Sequence, residues 1–594
     1  MPESTYVLLM ALTAIPSATA TAALREWDVV RDGKAVGDGQ TDCTPAFQRL
    51  LDEAGKAGGG IVNVPAGHYR IAGTLKIPGA VSLQGTFRVP PSDAHENRPR
   101  LDGSVLLAFA GRGKPDSEPF IRLAGSTATL LGVMVTYPEW KHSDVPPVPY
   151  PPTVLAEGGT NAGVIDCCFL NSYEALRFVG AARYLVRNVH GYPSRRGLYI
   201  DACYDISRVE NCHFWPFGVE YKASDPYCKW INEHGVAFEF ARTDWQYVIN
   251  TFCFGYGVGY KFSASKSGTC NGNFVGIGAD CCRRAVLVED SQFPGLLITN
   301  GEFVGRWENS DSIGIEIAAT ARQGKVSLNN CSFWGPLDRC VWDRSADTQF
   351  TAIGCNLLQW DVARRGSPAI QIDAGKTIIQ GNTFGSGDLH VRIGPKVRSA
   401  IIMGNQADGA VVIDNQAGKR THIVANEGSE AELSREARLH YRLNVGSPGD
   451  ARFLRGWHTP EPAAFWPDSR GAHMRWSAGT STLKLPVVPD KAYTVSLDVC
   501  VRGPAVDPSA GVYLDGKRIA ALPDKEGPAI MTGTIPPTNA DSVTLTLRVK
   551  PWSPREIDKK ATDPRVLGIA VRSVTMKAEG ATQPPSSANT GSEP

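Results

Sequence analysis

The sequence predicts an all-β protein, namely a right-handed parallel β-helix with an N-terminal capping helix, followed by a C-terminal antiparallel β-sandwich. Three observations predict it. A short phrase that begins with Asn or Asp and ends with Phe recurs through the middle of the chain. The segments between its copies are rich in short apolar runs and have no helical periodicity. Beyond residue 448 the pattern changes to alternating strands and hairpin signals.

The recurring phrase marks the coils of the predicted β-helix. It occurs at Asp166, Asn211, Asn271, Asn300 and Asn330, with looser copies at Asn188, Asn250, Asn356, Asn382, Asn405 and Asn426. The usual step is roughly 21–30 residues, which is typical of solenoid repeats. A unit this short cannot bury its own apolar face, so it must stack on its neighbours. Asn tolerates positive φ and its amide can hydrogen-bond along a stack, so we expect Asn at one corner of each coil.

The N-terminus resembles a secretory signal. Residues 7–15 are apolar and residues 17–22 offer A-x-A cleavage sites, so residues 1–23 are predicted to be a signal peptide. The first six residues contain no Lys or Arg, which departs from the usual pattern. The apolar run is too short to span a bilayer, and no later stretch is apolar enough. We therefore expect a secreted or periplasmic protein without a membrane span.

A short helix is predicted at the start of the β-helix domain, which we assign to residues 24–440. Apolar residues recur at helical spacing, and Gly58–Gly60 follows them as a stop signal; these residues are Phe47, Leu50, Leu51 and Ala54. A β-helix has an open apolar end, and repeat proteins need caps. We expect this helix to cover that end.

The C-terminal part is predicted to be a β-sandwich accessory module over residues 448–580. Asp515-Gly516 between two alternating runs indicates a two-residue hairpin. Four tryptophans could form a carbohydrate platform or belong to the core; they are Trp457, Trp466, Trp476 and Trp552. The charged stretch 427–442 favours a helical cap or linker, and residues 581–594 are predicted to be a disordered tail.

Composition limits the possible partners. The chain has 61 Lys and Arg against 60 Asp and Glu, a net charge of +1, and no basic run that would indicate nucleic acid. There are 14 cysteines, mostly at inward or corner positions of the coils. Disulfides fit an exported protein, but this placement favours buried free thiols. Zinc spacing is absent from the sequence.

The opening of the chain resembles a known family. The run from Asp38-Gly-Gln-Thr-Asp42 to Gly58–Tyr69 resembles the start of pectate lyase superfamily proteins, the rhamnogalacturonase-like and epimerase-like group related to family 28 glycosidases. The resemblance implies a parallel β-helix. Its members include hydrolases, lyases, epimerases and phage tailspikes, so the chemistry stays open. The Asn-x-Asp and Gly-Asp-Asp motifs typical of polygalacturonases are absent from the coils.

A second pattern predicts a catalytic pair. Aligning residues 197–201 with 235–239, 257–261 and 285–289 places Asp201, Glu239, Lys261 and Glu289 on one outward ladder. Adjacent strands are about 4.8 Å apart, and paired carboxylates at such spacing suit glycosidic chemistry. We expect Asp201 to be the general acid and Glu239 the nucleophile or base. The alternative is a solvated charge ladder, neutralised by Lys261, that does little.

The long segment between Asn211 and Asn250 mixes aromatic and carboxylate side chains, as sugar sites do. Asp244 and His213 are further catalytic candidates. The predicted substrate-binding residues are Tyr199, Trp215, Trp230, Arg242, Trp245, Lys261 and Glu302. His213 and Glu302 hold the same position of the recurring phrase and are expected to point at one groove. For Trp215 and Trp245, packing under a loop is the alternative.

These patterns predict an exported carbohydrate-active enzyme that cleaves a polysaccharide bound along the β-helix groove. Glycoside hydrolysis by a carboxylate pair is the leading interpretation, and no cofactor is expected. A lyase acting by β-elimination on a uronate, or an epimerase, is the alternative; Lys261, Arg242 or Arg283 would then neutralise the uronate, with calcium possible for a lyase. A non-catalytic carbohydrate-binding adhesin is the alternative of another class.

Overall fold

The computed structural model describes residues 25–88, 100–307, 311–322, 324–385, 387–408, 410–427, 433–447, 450–468, 471–561, 563, 565–582 and 586–587. The predicted signal peptide lies outside these residues, as do ten of the fourteen residues of the predicted tail; of the other four, Ser586–Ser587 forms a strand, so the prediction of disorder is wrong there.

The predicted parallel β-helix is confirmed. Thirty-eight strands pair in parallel as one continuous sheet that winds through three faces, here named sheets A, B and C. Each coil contributes one strand to sheet A, then one to sheet B and one to sheet C. Four long strands run through a corner and belong to two sheets; these are Gly163–Phe169, Leu185–Gly191, Ile370–Gln380 and Val391–Met403.

Each sheet extends along the whole coil. Sheet A contains, besides parts of the last two long strands, Leu75–Pro78, Ile121–Ala124, Val154–Glu157, Glu174–Val179, Arg196–Asp201, Val236–Phe240, Val258–Phe262, Arg284–Val288, Ser312–Ile317, Leu337–Asp343 and Ile413–Asn415. Sheet B contains, besides parts of all four, Glu26–Asp28, Gly60–Asn63, Val81–Gln84, Thr129–Leu131, Arg208–Glu210, Thr243–Ile249, Cys270–Val275, Leu296–Thr299, Lys325–Asn329, Gln349–Ile353 and Thr421–Val424. Sheet C contains, besides parts of the first two, Asp38–Asp42, Gly67–Ile71, Ser104–Ala108, Met134–Thr136, His213–Phe214, Phe252–Phe254, Gly278–Asp280, Glu302–Val304, Ser332–Trp334, Asn356–Leu357, Thr383–Phe384 and Gln406–Ala407.

The interior of the coil is filled by side chains that repeat from strand to strand. On sheet A, Phe238 lies opposite Tyr260, and their rings stack with centroids 4.9 Å apart and planes 8° apart. One interior position breaks the apolar pattern. Asp343 takes the place that Ile317 and Ile372 hold on neighbouring strands, and it is fully buried.

The corner between sheets B and C carries the predicted Asn positions. Six of the predicted residues have positive φ; they are Asp166, Asn188, Asn211, Asn250, Asn300 and Asn330. Side-chain amides link successive coils: Asn211 Nδ2 donates to Asn188 Oδ1 at 2.7 Å. The prediction is wrong for Asn271, which lies inside a sheet B strand while Gly276 forms that corner. In the last coils Gly381 and Gly404 take the left-handed position, and the following Asn turns inward.

The capping helix is confirmed. Helix α1 spans Thr44–Lys56 and buries its predicted apolar face, Phe47, Leu50, Leu51 and Ala54, against the first coil. It ends as predicted, because Gly58, Gly59 and Gly60 all have positive φ. The edge of Phe47 meets the ring of Tyr69 at 5.4 Å.

A second helix, α2 (Pro226–His234), occupies one turn from sheet C to sheet A. Asp225 caps it, accepting from Cys228 N at 3.0 Å. The loop that joins sheets C and A in an earlier coil packs against this helix. There Trp140 Nε1 donates to Tyr227 OH at 3.1 Å, and His142 Nε2 contacts Asp225 Oδ2 at 2.9 Å. The loop and the helix together border one edge of sheet A.

The C-terminal part is antiparallel and has a separate apolar core, as the predicted sandwich requires. One layer contains Gly527–Ile535, Tyr493–Val501, Ala570–Ala578, His440–Asn444 and Ser586–Ser587. The other contains Lys517–Ala521, Gly511–Leu514, Ser542–Arg548, His473–Pro486, Leu454–Trp457 and Glu461–Pro462. The long strand His473–Pro486 pairs with both layers.

The structure confirms one prediction about this part and contradicts two. The hairpin at Asp515-Gly516 is confirmed, with φ of 49° and 80°. The four tryptophans are buried in the core, so a carbohydrate platform built from them is wrong. The predicted helix over 427–442 is wrong in its described part, where a 3₁₀ turn, Ala437–Leu439, leads into a sandwich strand. The remaining short helices are α3, Pro554–Ile557, and the 3₁₀ turns Gly418–Arg420, Asp450–Phe453 and Gly503–Ala505.

All 14 cysteines are buried as free thiols, as the pattern predicts. In the described part of the chain, none of the helices has the length and apolar character needed to cross a bilayer.

Candidate active site on sheet A

The predicted alignment of Asp201 with Glu239 is wrong by two residues. Tyr199 lies opposite Glu239, and Glu239 lies opposite Lys261 as predicted. Lys261 in turn lies opposite Leu287 rather than Glu289. A two-residue slip keeps every side chain on its own face of the sheet, so alternation alone could not reveal it.

Asp201 belongs to the turn from sheet A to sheet B. Its Oδ1 accepts from Ser265 Oγ at 2.6 Å, Ala202 N at 2.8 Å and Arg242 N at 3.2 Å. The expected general acid is thus an acceptor that organises this turn. Strand geometry places its Cα about 8 Å from that of Glu239, one strand across and two residues along.

Glu239 is held between two cations on the outer face of sheet A. It is only 5% exposed. Its Oε2 lies 3.1 Å from Arg196 Nε, a contact without hydrogen-bond geometry, and its Oε1 lies 3.7 Å from Lys261 Nζ. Lys261 also reaches Glu289 at 3.1 Å. The predicted solvated ladder is therefore a row of ion pairs in which Glu239 is buried and the cations on either side of it are partly exposed.

The row continues through residues that the sequence reading did not single out. Glu174 accepts two hydrogen bonds of 2.7 Å from Arg177, and it lies 3.8 Å from Arg196. Arg196 therefore contacts both Glu174 and Glu239, and its guanidinium stacks over the Tyr199 ring at 4.7 Å. Arg196 directly precedes the aligned block of residues 197–201, and a correct register would have placed it beside the pair.

Tyr199 stands at the centre of this row. Burial raises its pKa to about 12, and the negative charges of Asp201 and Glu239 act in the same direction. The nearby guanidinium of Arg196 opposes them only in part. At neutral pH the hydroxyl keeps its proton, so Tyr199 can donate a hydrogen bond or a proton to a ligand on sheet A.

Other predicted site residues lie on the edge between sheets A and B. Arg242 and Asp244 form a two-point ion pair, with Nη2 and Oδ2 2.9 Å apart. Burial opposes the ionisation of Asp244, but hydrogen bonds from Arg242 and Gln292 outweigh it and lower its pKa. Asp244 is therefore a poor general acid. Trp245 is 59% exposed, so the packing alternative is wrong for its side chain.

The remaining predicted residues are on sheet C and on helix α2. His213 lies on the same ladder as Glu302, but Phe252 and Gly278 separate them, so they do not share one point of a groove. Burial lowers the pKa of His213. Trp215 lies beside His213, with ring centroids 5.7 Å apart. Trp230 packs on helix α2 against His234.

The structure thus distributes the predicted site over three faces of the coil. Tyr199, Glu239 and Lys261 come together on sheet A, whereas Asp201 and His213 do not join them. Among the residues that the structure describes, no group of three or more His, Cys, Asp or Glu side chains is placed to hold a metal ion.

The capped parallel β-helix defines a class of protein, and the comparisons agree with it. Residues 27–100 match the family described as "Rhamnogalacturonase A/epimerase, pectate lyase-like", so the predicted resemblance is confirmed over that segment.

Two curated relatives from Azotobacter vinelandii match over 44 residues, 7% of this chain. Alginate lyase 7 is 54% identical there, and mannuronan C5-epimerase AlgE3 is 52% identical. The match spans 5% and 2% of their respective lengths.

Two solved structures were also similar. The adhesin PfbA of Streptococcus pneumoniae is 13% identical with a TM-score of 0.35, covering 68% of this chain and 99% of that chain. The A-module of Azotobacter vinelandii mannuronan C-5 epimerase AlgE4 is 15% identical with a TM-score of 0.34, covering 68% and 96%.

Proposed function

We propose that this protein is a carbohydrate-active enzyme that binds a uronate-containing polysaccharide along sheet A and removes the proton next to the uronate carboxylate. The observation that carries the proposal is the cluster of Arg196, Lys261 and Glu239 around Tyr199. The corrected register moves Asp201 away from the position opposite Glu239 on which the hydrolysis prediction depended. β-Elimination or epimerisation therefore takes precedence over hydrolysis, and the alginate-active names of the short curated matches point the same way.

The cations supply the first requirement of this chemistry. A proton beside a carboxylate becomes acidic enough to remove only when cationic or hydrogen-bond donors neutralise that carboxylate. Arg196 and Lys261 are partly exposed, with 20% and 23% of their side chains open to solvent. A uronate carboxylate entering the row would compete with Glu239 for both cations, and charge-assisted pairs of this kind are strong.

Glu239 and Tyr199 supply the proton transfers. When the substrate carboxylate takes over the two cations, Glu239 loses its neutralising partners and becomes a better proton acceptor. Glu239 then takes the proton from the sugar carbon. Tyr199 gives its hydroxyl proton either to the departing glycosidic oxygen, which is elimination, or to the opposite face of the carbon, which is epimerisation. In the same proposal the protein acts outside the cytoplasm, which the predicted signal peptide supports.

Product analysis tests the reaction class. The full chain is incubated with alginate, polygalacturonate and the neutral glucan laminarin. Elimination yields an ultraviolet-absorbing unsaturated end, and epimerisation changes the uronate composition at constant chain length. New reducing ends without unsaturation would instead establish hydrolysis. Unchanged polymers in all three incubations would favour a non-catalytic binder.

Two variants test the residue roles on whichever uronate polymer is converted. We expect Tyr199→Phe and Glu239→Gln each to lower kcat by about 10²- to 10⁴-fold, the usual contribution of a positioned proton donor or acceptor. Glu210→Gln on sheet B is the matched control and should leave kcat unchanged. Folding is checked by thermal unfolding of each variant. Wild-type turnover in both sheet A variants would contradict the proposal.

A further inference from the structure

We propose a second carbohydrate site, a strip on the outer face of sheet C that binds a neutral glycan chain. The aromatic strip consists of Trp215, Phe254, Trp307 and Trp334, with the carboxyl groups of Asp280 and Glu302 between the rings. It lies on a different face of the coil from Tyr199 and does not depend on the reaction proposed there.

The rings flank the carboxyl groups along the coil axis. Trp215 packs on Phe254 with centroids 4.6 Å apart, and Phe254 lies opposite Asp280 on the next strand. On the other side, Trp334 and Trp307 meet edge to face at 6.0 Å. Phe254 and Trp334 are separated by three strand spacings, about 14 Å. This distance accommodates a short run of sugar rings, whose C–H faces pack on aromatic side chains.

The polar groups of the strip have unused hydrogen-bonding capacity. Asp280 Oδ1 is buried and has no hydrogen-bond partner among the described residues. An unpartnered buried polar atom is costly and often indicates a site that a ligand or water completes. Burial also raises the pKa of Asp280 to about 6. Glu302 is exposed and is oriented by Trp334 Nε1, which donates to its Oε1 at 3.0 Å.

The exposure of Trp307 separates this strip from ordinary packing, whereas Trp215, Phe254 and Trp334 are half-buried. Trp307 is 58% exposed although it contacts a second tryptophan, so water reaches a preformed aromatic surface. An exposed aromatic cluster with polar groups at fixed positions is typical of an interaction site.

The charge of the strip selects the class of glycan. The outward residues of sheet C from His213 to Trp334 include two acids and no Lys or Arg. A polyuronate would be repelled by Asp280 and Glu302, whereas sugar hydroxyls can donate hydrogen bonds to both carboxylates. The occupant is therefore a neutral polysaccharide. Sheet A differs from the strip because Arg196 and Lys261 accompany its acids there, and the proposed reaction uses these two cations to bind a uronate.

Affinity electrophoresis of the full chain tests the strip. Gels contain laminarin, dextran, galactomannan or alginate, and retardation at a series of concentrations gives an apparent Kd. We expect at least one neutral polymer to retard the protein. The double variant Trp307→Ala/Trp334→Ala should weaken that binding at least tenfold, and Glu302→Gln should weaken it several-fold without removing a ring. Phe293→Ala removes an exposed aromatic ring between the strands Arg284–Val288 and Leu296–Thr299; it is the matched control and should bind as the wild type does.

The outcomes separate this inference from the proposed reaction. Failure of all three neutral polymers to retard the protein overturns it, as does equal weakening by Phe293→Ala. Retardation by alginate that is lost in the strip variants would show that the strip is not selective for neutral glycans and also overturns it. Loss of uronate turnover in the Tyr199→Phe variant has no bearing on these gels.

Discussion

At the scale of single residues, Asp343 is the clearest departure from the pattern of the coil. It occupies an interior position and accepts hydrogen bonds from Ser345 N at 2.9 Å and from Thr348 Oγ1 at 3.1 and 3.2 Å. Burial nevertheless dominates and raises its pKa to about 7. The folded protein therefore holds a proton there over a pH range in which the unfolded chain has released it.

This proton predicts how stability depends on pH. Between about pH 4 and pH 7 the folded state binds one proton more than the unfolded state, so the free energy of unfolding falls as pH rises. Three pKa units correspond to roughly 4 kcal/mol over that window. Asp343→Asn should remove this component, and urea unfolding at several pH values measures it. The same pH slope in the variant and the wild type would contradict the assignment.

The sequence predicted on which face of its strand each residue lies. It was much less informative about which residue of the neighbouring strand lies opposite. Leu198 and Ile200 are inside and Tyr199 is outside, as alternation predicts. The two-residue slip occurs before Glu239, where helix α2 is inserted, and again after Lys261, where the described residues 262–283 contain no helix. Pairing across such a turn depends on three-dimensional closure, which a local pattern does not contain. The contact of Arg196 with Glu239 therefore became apparent only from the structure.

At the scale of elements, the Asn corner makes a sharp prediction. Asn405 is 1% exposed; it accepts from Asn382 N at 3.0 Å and donates to Ile379 O at 3.0 Å. Asn405→Ala leaves two buried backbone groups of the preceding coil, Asn382 N and Ile379 O, without this partner. At about 1–3 kcal/mol for each such group, we expect a loss of roughly 3 kcal/mol in the free energy of unfolding, measured by chemical denaturation.

Asn300 provides the control for this prediction. It is exposed and has φ of 56°, a conformation that Gly adopts without strain. Asn300→Gly should change stability by less than about 1 kcal/mol, because it removes one exposed side-chain hydrogen bond to Asn330. Equal losses in the two variants would mean that the buried amide network adds nothing beyond the corner itself.

The same corner explains why the coil repeats were readable from sequence. A left-handed residue is needed at a fixed point, and Asn, Asp and Gly meet that need at low cost. Helix α1 could be predicted for a related reason, because its apolar spacing and its stop signal both lie within one short segment of the sequence. The strand Ser312–Ile317 and its neighbours have no corner residue or stop signal that marks their ends. Their register therefore depends on how all the coils stack.

At the scale of the molecule, the two apolar cores predict two folding units. The core of the coil and the core of the sandwich have no residue in common. We predict that a fragment of residues 433–582 folds alone, as judged by circular dichroism and amide exchange. The strand His440–Asn444 pairs along its full length with Ala570–Ala578, so a fragment that starts at residue 447 should be markedly less stable. An unfolded longer fragment would contradict independence.

The buried thiols make local unfolding of this protein measurable by thiol labelling. Because every native cysteine is buried, the folded chain offers reagents no accessible thiol of its own. Twelve of them are spread through the coils between residues 167 and 355, so each region that opens exposes its own reactive group. Thiol labelling followed by mass spectrometry would therefore identify which coils have unfolded. A single cysteine placed on the outer surface would carry a probe to one known position.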